Sequence, residues 1–497
     1  MKRKKTLSLW KALIAPCLFF TLVFTGCEDD GDVRIVPYDP SKPVTITAFS
    51  PDTGRVATQM IIDGENFGGN LDAISVQVNG KKAAVIGVNP AGTMIYCLVP
   101  SMRDDKFPPK DSVQIPTTIK VLVEDAESNV PEKPFIYTFT LNVSTFLGFT
   151  DQDGNTAIVD GPFEKAQFQS PFWLAFDTDE YGPKDDNGNP KKNIYLIEEN
   201  NGLRFIDVYN REVKTIFRTG NGVDRPRTIA FTLNREKSEN YRDTMIIAND
   251  HGDWGGIGTI IIPRDTVTRI FGNENVTIPW RAVMHHRQCN GGAIHPLSGV
   301  YWFNSYQNSQ VYKVHDRSQE IWRYGGRTAG ELNDDGKEGT KFVFKVQDNN
   351  WEFNIQIAPS GEFAYIVSKN QHYIAQTLYN PSNNLFENPV PFVGDKQKSG
   401  FRDGVSVGTL FWEPQQGAFD DENNFYVCDG ENNCIRKVTP QAQVSTFAGR
   451  PGKPGYSDGA LRDAQFDGPF GIIYDSEIET FYIADRDNRR IRCIKVE

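Results

Sequence analysis

The sequence has few residues of the kinds that bind metal ions or cross-link a chain. Its 497 residues include 7 cysteines and 6 histidines. No C-x-x-C pair occurs, and no histidines follow the H-x-H or H-E-x-x-H spacing, so the patterns typical of zinc sites are missing. No Walker-type phosphate-binding loop is present either. We therefore expect no cofactor, and the catalytic residues of any enzymatic activity stay unknown at this level.

Positive charge is also in short supply. Lys and Arg together number 53 against 64 Asp and Glu, which gives a formal net charge of −11 at pH 7. Four of the basic residues stand together within Met1–Lys5. Proteins bind nucleic acid through clustered Lys and Arg that neutralise phosphates. We therefore expect no nucleic-acid partner.

Long apolar runs are scarce, and the clearest one extends from Ala12 to Val23. It follows the basic residues and ends shortly before Cys27, which two small residues precede. This arrangement predicts a signal peptide over residues 1–26, and its end resembles a bacterial lipoprotein box with Cys27 as the acylated residue. Residues 27–42 then predict an acidic tether. We expect a lipid anchor in the outer membrane that holds the protein at the cell surface, with the periplasmic face as the alternative.

Glycine and proline are plentiful, at 43 and 29 residues, which favours short strands joined by turns. In residues 43–142, seven alternating apolar runs close on Gly, Pro, Asn or Asp, and this pattern predicts an immunoglobulin-like β-sandwich. The segments Ser50-Pro51, Gly64–Gly68 and Val99-Pro100 resemble an IPT/TIG domain. The resemblance implies a spacer or an interaction domain.

From residue 143 onward the chain repeats one pattern. An apolar strand ends in a polar residue six times, at Glu198, Asn249, Asn304, Ser368, Asp429 and Asp485. Spacings of this size, with several strands in each repeat, predict a β-propeller. We expect these polar residues to cap turns by accepting backbone hydrogen bonds.

Two stretches of this region, 414–438 and 469–494, resemble NHL repeats most closely. The resemblance implies an all-β fold in which a six-bladed NHL-type propeller over residues 143–497 follows the sandwich. The hexapeptide "VSTFLG" at 143–148 returns as "VSTFAG" at 444–449. We therefore predict that strand 143–148 supplies the missing outer strand of the last blade and closes the ring.

Candidate ligand-binding residues come from the starts of the inner strands and from the loops after the second strands, which share one face of a propeller. They are Trp173, Arg227, Trp254, Arg287, Asn290, Trp351, Asn354, Trp412 and Gln415. Aromatic rings stack on sugar rings, while amides and Arg bond sugar hydroxyls. The alternative for each Trp is packing between blades.

The histidines are weak candidates for a metal site. His251, His285 and His286 fall near the same predicted face, and propellers of other families hold a divalent ion in the channel with such residues. Because the innermost positions contain no His, we expect no metal. Cys428 and Cys434 flank a predicted turn, where they either form a disulfide or act as small buried residues.

These features predict a cell-surface lipoprotein that binds an extracellular carbohydrate or oligosaccharide through the propeller face. It would capture glycans for neighbouring uptake proteins and be held at the outer membrane by its N-terminal lipid. The first alternative is a hydrolase or lyase that acts in the central channel, with or without a metal ion. The second alternative is a scaffold for protein–protein interaction. The ligand itself and the oligomeric state stay open.

Overall fold

The computed structural model describes residues 35–103, 113–151, 154, 156–177, 192–220, 224–231, 244–250, 257–263, 281–285, 289–305, 310–314, 340–346 and 352–497. The described residues form two compact units. Unit 1 comprises Met1–Pro51, Gln59–Leu98 and Thr118–Lys133, and unit 2 comprises Asp52–Thr58, Val99–Thr117 and Pro134–Glu497. The boundary near residue 142 between sandwich and propeller stays a prediction.

Eleven short strands occupy the described part of residues 45–138. They are β1 (Thr45–Ser50), β2 (Thr53–Gly54), β3 (Gln59–Glu65), β4 (Ile74–Val78), β5 (Lys81–Lys82), β6 (Ala84–Val88), β7 (Met94–Leu98), β8 (Gln114–Thr117), β9 (Ile119–Val123), β10 (Ala126–Glu127) and β11 (Phe135–Thr138). Unit 1 contains two sheets with the orders β1-β3-β7-β6 and β10-β9-β4-β5, whereas β2, β11 and β8 pair within unit 2. A 3₁₀ turn, Leu71–Ala73, leads into β4.

The apolar residues of unit 1 alternate with polar ones along each strand, and the apolar set is buried. In β4 the residues Ile74, Val76 and Val78 are buried while Ser75 and Gln77 are partly exposed. Since successive side chains of a strand point to opposite faces, one face of each sheet forms the core. Phe67 fills this core with no exposed surface.

Unit 2 is dominated by six antiparallel sheets of four or five strands, preceded by β12 (Leu141–Leu147). Sheet 1 contains β13 (Gly161–Pro162), β14 (Pro171–Asp177), β15 (Asn193–Glu198), β16 (Gly202–Asp207) and β17 (Glu212–Arg218). Sheet 2 contains β18 (Pro226–Phe231), β19 (Thr244–Asn249), β20 (Ile257–Pro263) and β21 (Arg281–His285). Sheet 3 contains β22 (Gly292–Ile294), β23 (Tyr301–Ser305), β24 (Gln310–Val314) and β25 (Thr340–Lys345).

The other three sheets lie in the C-terminal part of the chain. Sheet 4 contains β26 (Phe353–Ile357), β27 (Phe363–Ser368), β28 (Tyr373–Asn380), β29 (Leu385–Phe386) and β30 (Val390–Val393). Sheet 5 contains β31 (Gly404–Val405), β32 (Pro414–Phe419), β33 (Phe425–Asp429), β34 (Cys434–Val438) and β35 (Gln443–Gly449). Sheet 6 contains β36 (Gly459–Ala460), β37 (Pro469–Asp475), β38 (Thr480–Asp485) and β39 (Arg490–Val496), together with β12. Short 3₁₀ turns occupy Lys369–Gln371, Ser406–Gly408 and Gly430–Asn432.

The inner strands of the six sheets are β14, β18, β22, β26, β32 and β37, which follow one another around a channel, with β27 of sheet 4 contacting β32 of sheet 5. The strand β14 contacts both β18 and β37, β18 contacts β22, β22 contacts β26, and β32 contacts β37. Middle strands are buried along their whole length, as in β15 and β38. Between the polar residues at their ends, these strands are apolar, because each sheet packs between two others. The arrangement is propeller-like, and the count of six blades stays a prediction for the whole chain.

The strand that the repeat predicted does close sheet 6. Residues Leu141–Leu147 pair antiparallel with β39, and Val143 lies opposite Ile494. The Thr145 N–H donates to Asp458 Oδ2 at 3.1 Å, just as the Thr446 N–H in sheet 5 donates to Asp403 Oδ2 at 3.1 Å. The two "VSTF" segments therefore occupy equivalent places, and the edge of the last sheet is paired.

The strand-end acids form a repeated buried ion pair. In sheet 5, Asp429 Oδ2 lies 2.7 Å from Arg436 Nη1, and neither side chain is exposed. Asp429 Oδ1 also accepts the Trp412 N–H at 2.7 Å. Two further pairs repeat this arrangement, Asp485–Arg492 at 2.8 Å and Glu198–Arg204 at 2.5 Å. These carboxylates bond backbone and guanidinium groups at the strand ends.

In sheet 4 both charges of this pair are absent. Ser368 stands at the place of the acid, and Ala375 stands opposite Ile366, where sheet 5 has Arg436 opposite Val427. A single buried charge without its partner destabilises a protein by about 3–5 kcal/mol. The joint replacement therefore avoids an unpaired charge.

Cys428 and Cys434 are buried thiols that form no disulfide. Burial raises the pKa of both thiols well above the ordinary value. The structure thus favours the alternative of small buried residues. Within the part of the chain that the structure describes, no helix is long and apolar enough to span a membrane. The predicted signal peptide and Cys27 lie outside the described residues.

Candidate functional site

Five predicted ligand-binding residues meet at one recess in unit 2: Trp173, Arg227, Asn290, Asn354 and Gln415. They come together because inner strands of successive sheets begin at the same end of the channel. The full lining is Phe172, Trp173, Arg227, Asn290, Glu352, Phe353, Asn354, Lys369, Gln415 and Phe470. The recess has an open volume of about 320 Å³ and contains a cavity of about 30 Å³. Since a water molecule needs roughly 10–15 Å³, the cavity has room for two or three.

Two aromatic rings form one wall of the recess. Phe172 of β14 and Phe470 of β37 stack with ring centroids 3.6 Å apart and an interplanar angle of 28°. The Arg227 guanidinium carbon lies 5.3 Å from the Phe172 centroid. Trp173 is 7% exposed and packs into an apolar cluster with Tyr195. The wall therefore consists mainly of the two Phe rings, whereas Trp173 contributes mostly to the core.

Arg227 is held by two carboxylates. Its Nη1 lies 3.0 Å from Glu199 Oε1, and its Nη2 lies 3.0 Å from Asp250 Oδ2. Arg225 also contacts Asp250, with Nη2 3.5 Å from Oδ1. Glu199 directly follows β15 of sheet 1, and Asp250 directly follows β19 of sheet 2. The cation at this side of the recess is thus neutralised by the protein.

Lys369 repeats this arrangement at the side of sheets 4 and 5. Its Nζ lies 2.9 Å from Glu352 Oε1 and 3.7 Å from Glu413 Oε2. The Glu413 N–H donates to His372 Nδ1 at 3.2 Å, and burial lowers the pKa of His372. The neutral imidazole accepts this hydrogen bond, and a protonated ring could not. His372 therefore helps to position Glu413.

Buried amides complete the lining. Gln415 is 4% exposed, lines the recess, and its amide has no hydrogen-bond partner among the described residues. Asn354 is 9% exposed, and its Oδ1 accepts a hydrogen bond from Gln356 Nε2 at 2.7 Å. Buried amides usually have partners. An unpartnered amide that borders a cavity is suited to bonding a ligand.

The recess has a floor made of side chains that cross between inner strands. Gln416 bonds both backbone groups of Leu174, and Gln356 Oε1 accepts the Gly417 N–H at 2.9 Å. Thr228 Oγ1 accepts the Gly292 N–H at 3.0 Å. These bonds lie one to two residues further along the strands than the recess lining.

The remaining predicted residues do not join this lining. Trp412 lies outside it and is 43% exposed. Trp254, Arg287, Trp351, His251 and His286 lie outside the described residues. His285 ends β21, and its side chain is outside the description. Among the described residues, no group of three or more His, Cys, Asp or Glu could hold a metal ion.

The list of nine candidate residues leaves out half of the lining: Phe172, Glu352, Phe353, Lys369 and Phe470. A signal for the two stacked rings was available, because "PFWLAFD" and "PFGIIYD" place a Phe after Pro at equivalent repeat positions. Lys369 had a weaker signal in its place directly after the strand-end Ser368. No local pattern pairs Lys369 with Glu352.

A serine motif was also missed at Gly404–Gly408, "GVSVG". It has the G-x-S-x-G spacing of a hydrolase nucleophile elbow, and Ser406 adopts a φ of 54°. In the structure this segment joins the short outer strand β31 to a 3₁₀ turn. The Ser406 hydroxyl donates to the Phe392 carbonyl at 3.2 Å. It lies on an outer edge and away from the recess lining.

Comparison with known proteins identifies one domain family and several related structures. Residues 43–135 match the IPT/TIG domain. An auxiliary nutrient binding protein from Bacteroides thetaiotaomicron is 33% identical, covers 93% of this chain and 99% of its own, and has a TM-score of 0.65. One from Bacteroides ovatus is 25% identical, with coverages of 93% and 100% and a TM-score of 0.63.

Two other relatives carry different names. A Bacteroides thetaiotaomicron structure described as a candidate phosphatase is 30% identical, with coverages of 93% and 99% and a TM-score of 0.64. Protein SUPPRESSOR OF QUENCHING 1, chloroplastic, from Arabidopsis thaliana is 25% identical over 357 residues, and the chain spans only 26% of that protein's length. The predictions of an IPT/TIG domain and of an all-β fold with propeller-like sheets are confirmed.

Proposed function

Because the chain belongs to the same family as the auxiliary nutrient binding protein of Bacteroides thetaiotaomicron, we propose that it captures an extracellular carbohydrate at the recess of unit 2 for an uptake system. The name of that relative supports a nutrient-binding accessory role. The carbohydrate is our own addition, and it rests on the chemistry of the recess lining.

The observation that carries the proposal is the combination of stacked rings and buried amides. Phe172 and Phe470 offer an apolar edge, and Gln415 and Asn354 line the same recess. A sugar presents apolar C–H faces and hydroxyls that both donate and accept hydrogen bonds. Glu352 and Lys369 add charged groups that strengthen bonds to hydroxyls.

The N-terminal segment supports the location of this activity. The lipoprotein-like end of the signal, the acylated Cys27 and the acidic tether would hold the protein at the outer membrane. The IPT/TIG domain, residues 43–135, would act as a spacer or dock to neighbouring uptake proteins. We propose the cell surface as the location, because an external glycan is met there first.

The test is a glycan array followed by calorimetry with the purified full-length chain. We expect binding of a defined set of glycans without release of product. Gln415→Ala should weaken binding about fivefold to tenfold, as expected for one lost hydrogen bond, whereas Gln441→Ala, at an exposed turn, should leave it unchanged. Product release from a bound glycan, or phosphate release from p-nitrophenyl phosphate, would show that the protein is an enzyme and not a capture protein. If no glycan binds, the proposal is wrong.

A further inference from the structure

Each cation that borders the recess in the described part of the chain is already held by carboxylates. Arg227 contacts Glu199 and Asp250. Lys369 contacts two further carboxylates, as described above. Arg486, whose guanidinium carbon lies 5.8 Å from the Phe470 centroid, contacts Asp487 at 3.1 Å. No described cation is left to receive an anionic ligand.

Carboxylates outnumber cations around this recess. With Arg225, which also contacts Asp250, four cations face five carboxylates, those of Glu199, Asp250, Glu352, Glu413 and Asp487. Asp467 and Glu431 lie close to Arg486 and Asp487: burial, followed by the charges of Asp487 and Glu431, raises the pKa of Asp467, and Arg486 opposes this shift. A ligand that carries a negative charge would meet repulsion here, and it could not displace the carboxylates without exposing their own charges.

An independent observation shows what the recess can accept. The Gln415 amide is almost fully buried, lines the cavity, and has no partner among the described residues. An amide offers one acceptor and two donor hydrogens, so it matches a hydroxyl or an amine equally well. The amide therefore supplies the hydrogen bond to the ligand, and the surrounding carboxylates supply the selection against acidic groups.

The depth of the recess limits how the ligand enters. The two hydrogen bonds between Gln416 and Leu174 lie one residue further along the strands than Gln415, and the space that small groups can occupy within the recess is only about 30 Å³. A complete sugar ring does not fit into such a volume. A hydroxymethyl, hydroxyl or amino group at the end of a saccharide does fit, while the ring lies in the open part above it.

We propose that the recess binds the terminal unit of a saccharide without acidic groups, a neutral or amine-bearing sugar, and rejects uronic, sialic and sulfated sugars. Gln415 is the residue that bonds the inserted group. Glu352 and Glu413 provide the charge that rejects anions. This inference rests on the proposed function, because it specifies the class of carbohydrate that the same site takes.

The experiment sorts array glycans by charge and then compares tetramers that share one backbone. Probes are cellotetraose, its 6-carboxyl derivative and the glucosamine tetramer, alongside the best array binder and its acidic counterpart. We expect binders among neutral and amine-bearing glycans, with acidic counterparts about tenfold weaker. The difference should shrink between 10 mM and 500 mM salt, since salt screens exposed charges.

Variants separate this inference from the proposed function. Glu352→Gln should reduce the ratio of the affinities for neutral and acidic glycans severalfold. Glu362 is exposed and outside the lining, so Glu362→Gln should leave this ratio unchanged. Thermal unfolding of each variant checks that the fold is intact. Equal or tighter binding of acidic glycans would overturn the charge selection while capture itself stands. If no glycan of any class binds, the proposed function fails together with this inference.

Discussion

Gln416 reaches from sheet 5 to sheet 1 and holds both backbone groups of Leu174. Its Oε1 accepts the Leu174 N–H at 3.1 Å, and its Nε2 donates to the Leu174 carbonyl at 2.8 Å. The side chain passes Gly471 of sheet 6, where a Cβ would lie 3.1 Å from Gln416 Oε1 and 2.4 Å from the Phe172 carbonyl oxygen. One side chain thus connects sheets that are not neighbours and forms the floor of the recess.

Gly471→Ala should therefore disturb both the floor and the stacked rings above it. Insertion of a methyl group into a filled site destabilises by about 1–3 kcal/mol, and glycan affinity should fall because the Phe172 backbone must shift. Urea unfolding and calorimetry measure the two effects. Gly408→Ala is the control, since no atom lies within 4 Å of its added Cβ. Equal stability of the two variants would contradict the crossing geometry.

Arg492→Met should destabilise the protein more at pH 8 than at pH 5. Burial raises the pKa of Asp485 to about 6, although Arg492 opposes this shift. Loss of Arg492 raises the folded-state pKa further, while the unfolded value of 3.8 is unchanged. In the folded variant Asp485 therefore keeps its proton to higher pH than in the wild type. The free energy of unfolding of the variant continues to fall above pH 6, whereas the contribution of Asp485 to that of the wild type no longer changes there.

The expected loss is about 3–5 kcal/mol at pH 8, the effect of an unpaired buried charge. It should be smaller at pH 5, where Asp485 is largely protonated in both proteins. Urea unfolding at the two pH values measures it. The double variant Asp485→Asn with Arg492→Met should recover part of the loss at pH 8, because sheet 4 already folds without the pair. A loss independent of pH would show that Asp485 is not the responsible group.

Tyr365→Phe should leave the protein equally or more stable. The Tyr365 side chain is fully buried, its hydroxyl has no hydrogen-bond partner within the described part of the chain, and burial raises the pKa of the phenol. Removal of an unsatisfied buried hydroxyl gains up to about 1 kcal/mol. Tyr426→Phe is the matched comparison, because the Tyr426 hydroxyl donates to Asp420 Oδ2 at 3.1 Å. Tyr426→Phe should lower the free energy of unfolding by about 1 kcal/mol. Chemical unfolding of both variants shows whether each substitution stabilises or destabilises the protein.

Val143→Ala and Val444→Ala should destabilise unit 2 by similar amounts. Both side chains are buried, at 1% and 0% exposure, and occupy equivalent places in sheets 6 and 5. Loss of two buried methyl groups costs about 2 kcal/mol. The comparison tests whether the strand from the far end of the chain closes sheet 6 as firmly as a local strand does. A much smaller loss for Val143→Ala would mean that the closure is weak.

The sequence repeat predicted which residues line the recess better than it predicted their exposure and hydrogen bonds. The repeat aligns the starts of the inner strands, so the sequence alone places Trp173, Arg227, Asn290, Asn354 and Gln415 at one mouth. These residues converge because of the order of the strands alone. The exposure of each Trp could not be predicted from strand order, because a Trp at a strand start packs inward or outward according to its neighbours in other sheets.

The sequence by itself determined the strands, the turns that end them, the repeat and the strand that closes the last sheet, because all of these depend on alternation and turn residues within short segments. Only the tertiary structure decided which carboxylates neutralise Arg227 and Lys369 and that Gln416 crosses to Leu174. It also decided that the Gln415 amide borders a cavity and has no partner among the described residues. Those relationships join residues that are up to 242 positions apart. Their strength depends on ångström-scale distances that no local pattern records.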